Sequence, residues 1–206
     1  MKNFKLSRKA INYSLLCGLV CAVFLSFSSF NTACDDLREN VLRLHIIANS
    51  NSAADQQLKL SIRDRILENS KEIFADADSM DEAIITAKSS IERIEQIAND
   101  VISEKNFGYT ATAKVKDSYF ETREYDNFTL PAGTYKSVVI DVGKAKGKNW
   151  WCVIFPEICL PSCSEARLTD TVSESSAKIA EDKPKYEMRF KIVEFYEDIK
   201  RFFSKI

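Results

Sequence analysis

His45 is the single histidine of the chain, so acid-base or metal chemistry of the common kinds must run through it or be assembled from carboxylates and thiols. The thiols are clustered, with Cys152, Cys159 and Cys163 at Cys-x6-Cys-x3-Cys spacing. A Cys–His pair needs one of these sulfurs beside His45 and a third group, for which Asp55 is available, to orient the ring. A zinc site needs the three thiolates together with His45, and this spacing is not the tight C-x2-C hook of structural zinc sites. No Gly-x-Ser-x-Gly, His-Glu-x-x-His or Asp-Thr/Ser-Gly stretch occurs, so hydrolase templates have nothing to match. His45 therefore reads as a hydrogen-bonded strand residue, and no catalytic residue, metal or cofactor is expected.

Recognition is better represented than catalysis. Residues 147–160 hold both tryptophans and two of the six cysteines. On a strand, the adjacent Trp150 and Trp151 face opposite sides of the sheet, one into a core and the other toward a cleft or partner. A second cluster, His45, Asn49, Ser50, Ser52 and Asp55 with Gln56 and Lys59, falls where a strand gives way to a helix. Backbone N–H groups at such a junction receive anions or partner carboxylates. The same residues also make turns and cap helices.

The elements that must position these groups are legible from periodicity. Residues 41–48 alternate apolar and β-branched side chains as a strand does, and 49–52 break it as a turn. Ser52 with Asp55 opens a helix that carries Leu58, Ile62 and Ile66 on one face and Lys59, Arg63 and Glu68 outward. Met80, Ile84, Ala87, Ile91, Ile94, Ala98 and Val101 recur at steps of four and three, which predicts one long helix ending near Asn106 and Gly108. Residues 109–115, 135–142 and 150–155 supply further strands. Between the first two of these, Tyr119, Phe120, Tyr125 and Phe128 suggest an additional edge strand before the Pro131-Ala132-Gly133 turn. Residues 143–148 are rich in glycine and lysine but lack the Lys-Ser/Thr ending of a phosphate loop, and read as a hairpin loop.

The expected fold class is α+β: a mixed or antiparallel sheet of about four strands packed with two long helices, plus a C-terminal amphipathic helix and an N-terminal membrane-targeting segment. The chain divides into a signal peptide or membrane anchor at 1–34, an exported α+β domain at 35–163, a poorly ordered linker at 164–185 and the amphipathic helix at 186–206. That last helix carries Ile192, Phe195, Tyr196, Ile199, Phe202 and Phe203 at helical spacing, with Glu187–Lys191 and Glu197–Arg201 as i,i+4 pairs. It docks on its own domain, or in part serves as a partner or membrane-surface helix.

Export is the strongest inference from composition. Lys2, Lys5, Arg8 and Lys9 precede an uncharged stretch from 10 to 34, long enough to span a bilayer, which orients the rest of the chain outward. An uncleaved anchor and a cleaved signal peptide both fit. Asn31-Thr32-Ala33-Cys34 is like a lipoprotein box, but Asn31 stands where a leucine-like residue is wanted. Without the four basic residues of that segment, 25 Lys and Arg face 30 Asp and Glu, a net charge of −5 that gives no footprint for nucleic acid. In an oxidising compartment Cys152 and Cys159 can close a short loop around Pro156, with Cys163 left over or pairing with either.

Several of these blocks together resemble the stage II sporulation protein R family. They are residues 44–52 (Leu-His-Ile-Ile-Ala-Asn-Ser-Asn-Ser), Asp55-Gln56 with Lys59 and Arg63-Asp64, residues 130–133, residues 147–156 with Cys159, and residues 189–194, in that family's order. The resemblance implies an exported intercellular signalling protein of endospore-forming bacteria. Such a protein acts in the space between forespore and mother-cell membranes, switches on a membrane-embedded aspartic protease that processes the sigma-E precursor, and has no small-molecule substrate. His45, Asn49, Ser50, Asp55, Lys59, Trp150 and Trp151 are then the expected partner-binding residues. The alternative is an exported hydrolase using His45 with Asp55 and a cysteine thiolate.

Overall fold

The computed structural model describes residues 8–125, 128–156, 171–181 and 183–203. Alternating side chains make β1 (Leu42–Ile47), β2 (Ala111–Phe120), β5 (Gly133–Val142) and β6 (Asn149–Phe155) into one sheet of order β2-β5-β1-β6. β1 runs parallel to β5, while β6 and β2 are antiparallel to their neighbours, so the sheet is mixed. A separate two-stranded ribbon is formed by β3 (Arg123–Glu124) and β4 (Thr129–Leu130). The aromatic stretch thus divides: Tyr119 and Phe120 finish β2, whereas Tyr125 and Phe128 border the ribbon rather than a strand on the sheet edge.

The period-two pleat sorts β1 cleanly. Leu42, Leu44 and Ile46 face α2 (Ala53–Ile73) and α4 (Ile91–Glu104), where they meet Leu58, Ile62, Ile66, Ile94, Ala98 and Val101 in the main core. Arg43 and His45 face the opposite layer. There Phe120, Tyr135 and Val153 from the sheet join Leu37 of α1 (Arg8–Glu39) and Ala177 of α5 (Glu174–Glu181) in a second core.

Helix starts follow the polar residues expected of them. Ser52 caps α2 by accepting from the Asp55 N–H at 3.1 Å, and Ser79 caps α3 (Met80–Ser89) by accepting from Glu82 N–H at 3.3 Å. The long helix expected over 80–106 is instead two, α3 and α4, with Ser90 closing one and opening the other. The Ser89 hydroxyl bonds back to the Thr86 carbonyl at 3.0 Å, the local competition with helical hydrogen bonding that makes serine a poor interior residue. Before the break Ala83 joins Met80 and Ala87 in the buried positions, while Ile84, and Ile91 after the break, are only partly buried against the core.

Edge strand β2 is protected by α4. Asn99 accepts from Ala111 N–H at 2.8 Å and donates to its carbonyl at 3.1 Å, and Glu95 accepts from Ala113 N–H at 2.8 Å.

The apolar part of α1 stands bare, whereas its last turns are built into the domain. Phe30, Cys34 and Leu37 are buried, and Arg38 donates two hydrogen bonds, at 2.9 and 2.6 Å, to the Ala132 carbonyl. Residues 157–170 and 182 lie outside the described residues; of the stretch expected to be a linker, 164–185, the described part is largely helical, in α5 and the start of the last helix. α6 (Lys183–Phe203) packs Phe190 and Val193 against Phe30 and Cys34.

Candidate functional site

The turn after β1 is held by a polar latch. Asp55 takes hydrogen bonds from the hydroxyls of Ser50 and Tyr109, and from the Asn49 amide at 3.0 Å. Burial pushes the Asp55 carboxyl up, but the hydrogen bonds from Ser50, Tyr109, Asn49 and Ser52 outweigh it and hold the group below its ordinary range. The opposing hydroxyl of Tyr109 is pushed up by burial and by this carboxylate.

The latch also clamps the β5–β6 hairpin. Asn49 Oδ1 accepts from Lys144 N–H at 2.9 Å, Asn51 Oδ1 from Lys148 N–H at 2.8 Å, and the Ala48 carbonyl from Gly147 N–H at 2.8 Å. Lys59 donates to the Gln56 side chain at 2.7 Å and to the Lys148 carbonyl at 3.1 Å. Gly147 is required by this closeness: a Cβ there would fall on the Ser50 carbonyl, nearer than real Cβ atoms approach. Asn49, Ser50, Asp55 and Lys59 are therefore brought together, with Lys59 buried rather than outward, and their polar groups are occupied by one another and by the hairpin.

The two tryptophans diverge. Trp150 lies on the helix side, half-buried, with the Arg63 guanidinium 4.3 Å from its ring centroid. Trp151 lies on the other face. It stacks on the imidazole of His45 with centroids 3.9 Å apart and 18° between planes, and meets Phe120 edge-on at 4.7 Å. His45 is 8% exposed, and among the described residues neither ring nitrogen has a hydrogen bond of good geometry, the Asn149 side chain being its nearest approach to the hydrogen-bonded strand residue expected. Its planar ring packs as an aromatic instead. Burial lowers its pKa to about 4, against a smaller opposing pull from Asn149, so the ring is neutral near pH 7.

Below the stack lies a residue that sequence reasoning passed over. Arg43 is 0% exposed, with its guanidinium carbon 3.9 Å from the Phe120 centroid and 4.9 Å from that of Tyr135. Nη2 donates to the Tyr125 hydroxyl at 2.6 Å, while Nε and Nη1 have no hydrogen-bond partner among the described residues. Alternation along β1 was the available signal, since it puts Arg43 on the face of His45.

Above the stack, a cleft of about 550 Å³ opens between Trp151, Asn149, Lys148, Tyr119, Glu121, Arg123 and Arg201. Its walls carry three cations and one carboxylate around two aromatic rings. The Tyr119 hydroxyl donates to Asp198 of α6 at 3.1 Å, and burial followed by that carboxylate pushes its pKa up to about 12. A larger cleft, about 630 Å³, lies near Asp35, Arg38, Asp81 and Lys136, and none of the expected site residues lines it.

A thiol–imidazole pair is not assembled by Cys152. It stands opposite Leu44 and packs into the helix-side core, whereas His45 stands opposite Trp151 on the other face. No hydrogen bond joins His45 to Asp55 among the described residues. Cys159 and Cys163 lie outside the described residues, and with them the expected Cys152–Cys159 bridge.

Comparison with known proteins bears on the same region. The model of the stage II sporulation protein R family matches residues 38–165, a span that takes in the latch and the aromatic stack and omits most of α1 and all of α5 and α6. The stage II sporulation protein R of Bacillus subtilis (strain 168) is 33% identical over 145 residues, 70% of this chain and 63% of the relative's own length. The chain thus spans less than two thirds of that relative, whose name assigns it to sporulation and states no catalytic activity. No solved structure matches the chain.

Proposed function

Because the chain belongs to the stage II sporulation protein R family, we propose that it acts in endospore formation as an exported, membrane-anchored signalling protein. It activates the membrane-embedded aspartic protease that processes the sigma-E precursor, from the space between forespore and mother-cell membranes, and it catalyses nothing itself. One observation carries this reading. Within the family-matched span, His45 is engaged in aromatic packing and Asp55 in the turn, while Trp151 lies half-exposed on the wall of a charged cleft. Such an arrangement suits an anchor for a partner side chain. Asn49, Ser50, Asp55 and Lys59 contribute by fixing the hairpin that presents Lys148, Asn149 and Trp151, and Trp150 and His45 brace it from either face.

Retention of the anchor is supported by α1 itself. It is long and apolar enough to cross a membrane, and it continues without interruption into residues buried in the domain. Cleavage within 31–34 would sever that helix and remove Phe30 from its contacts with Phe190 and Tyr186.

Activation requires tighter binding to the active protease state than to the resting one. Raising an active fraction from 1% to a half takes about 100-fold preference, or ~2.7 kcal/mol. A tryptophan hot spot contributes ~2 kcal/mol or more, so one residue of this kind can account for most of the effect. The test is sigma-E precursor processing, followed by immunoblot in sporulating cells that carry Trp151→Ala, the exposed rim pair Arg123→Glu with Lys148→Glu, or His45→Gln. Processing should fail in the first two and persist in the third, with all three proteins folded. Normal processing in the rim pair, or its abolition by His45→Gln in a folded protein, would overturn the reading.

A further inference from the structure

α6 has two apolar faces, and the domain uses one of them. Phe190 and Val193 are buried against Phe30 and Cys34. At 100° per residue, Ile192, Phe195, Tyr196, Ile199, Phe202 and Phe203 cluster on the opposite side. Those six are 41–68% exposed, a continuous apolar stripe of the kind that marks an interaction surface. The family model's match ends at residue 165, before this helix.

What lies against the stripe is indicated by α1. The apolar run of α1 ends near Phe30, and about 20 residues at ~1.5 Å each reach across the ~30 Å of bilayer hydrocarbon. Phe27 then lies three residues, or ~4.5 Å, inside the outer boundary of that layer. Its ring meets that of Tyr196 edge-on, with centroids 6.4 Å apart. The Tyr196 ring therefore touches a residue inside that layer, close to the ~5–10 Å depth to which interfacial helices sink their apolar faces. Basic residues border the stripe, with Arg189 and Lys200 on one side and Lys191 on the other by the same helical projection. Of these, Arg189 lies beside Phe30 and Tyr186 at the end of the apolar run, the level at which a long cationic side chain reaches headgroup phosphates.

We infer that α6 is an interfacial helix, whose outer face of Ile192, Phe195, Tyr196, Ile199, Phe202 and Phe203 is embedded in the outer leaflet of the bilayer that holds α1. This rests on α1 being retained as an anchor. The consequence is orientation: α1 alone leaves the domain free to turn about the axis of that helix, whereas two adjacent attachments fix which side faces the membrane. Because Asp198 and Arg201 of α6 reach Tyr119 on the wall of the Trp151 cleft, the cleft is held at a set height above the lipid. A membrane-embedded partner would meet it there.

The test uses the full chain reconstituted in phosphatidylglycerol-containing vesicles, with p-benzoylphenylalanine replacing Phe195 or, separately, Phe190. Alkaline carbonate reports the anchor, and photocrosslinking followed by intact mass reports α6. The expected result is retention in the pellet, a lipid adduct from position 195 and an intramolecular adduct from position 190. Retention with a crosslinked dimer, or with no adduct from position 195, would overturn the assignment of α6 alone. Release by carbonate would overturn it together with the anchor.

Discussion

Tyr109→Phe removes one hydroxyl and no volume, and so isolates the long-range contact of the latch. Tyr109 lies just before β2 and donates to Asp55 in the first turn of α2, 54 residues earlier in the chain. Loss of a hydrogen bond to a charged acceptor costs ~1.5–3 kcal/mol, and the lower end applies because Asp55 keeps its donors from Ser50 and Asn49. In a chain of this size ~1.5 kcal/mol lowers Tm by about 3–6 °C. The dependence on pH has a definite sign. The Asp55 carboxyl is depressed in the fold, so its contribution is complete above the ordinary carboxylate pKa of ~3.9 and disappears as pH falls through the lower folded value. The assay is thermal unfolding of the detergent-solubilised full chain at pH 7 and at acid pH, read by fluorescence of Trp150 and Trp151. In a cycle with Asp55→Asn, a coupling of ~1–2 kcal/mol is expected at pH 7. Equal melting of Tyr109→Phe and the parent at pH 7, or a deficit undiminished in acid, would refute the reasoning.

Other consequences arise from the same geometry. His45 should titrate near pH 4 by NMR; because its folded pKa is depressed, stability present above the unfolded value of ~6.5 should decline as pH falls from there through 4, and His45→Gln should flatten that slope. Gly147→Ala should destabilise by ~1–3 kcal/mol in urea unfolding, because the new methyl must displace the Ser50 carbonyl or the hairpin.

Legibility differed from residue to residue for physical reasons. The strands at β1, β2, β5 and β6 and the Ser52 cap were readable because pleat and cap are properties of a few neighbouring residues. The α3–α4 break escaped because the four-and-three spacing continues across Ser89 and Ser90, while the competing hydrogen bond depends on one hydroxyl rotamer. In the site, Asn49, Ser50, Asp55 and Lys59 could be grouped from adjacency. Tyr109 could not, since nothing in residues 49–59 refers to a position so distant. Arg43 was missed because a basic residue in a strand ordinarily faces water, and only the aromatic layer assembled from Phe120, Tyr125 and Tyr135 makes its burial tolerable.

By itself the sequence determined the local alternations, the apolar stretch of α1, the paired indoles on opposite faces of one strand and the presence of a single histidine. Those are consequences of backbone period and side-chain chemistry, which need no distant partner. The tertiary structure decided that β1 lies parallel to β5, that the imidazole of His45 lies flat on Trp151, and that Tyr196 of α6 meets Phe27 of α1. Each of these joins residues far apart in the chain, whose meeting is selected by burial of whole faces rather than by any preference of the residues themselves.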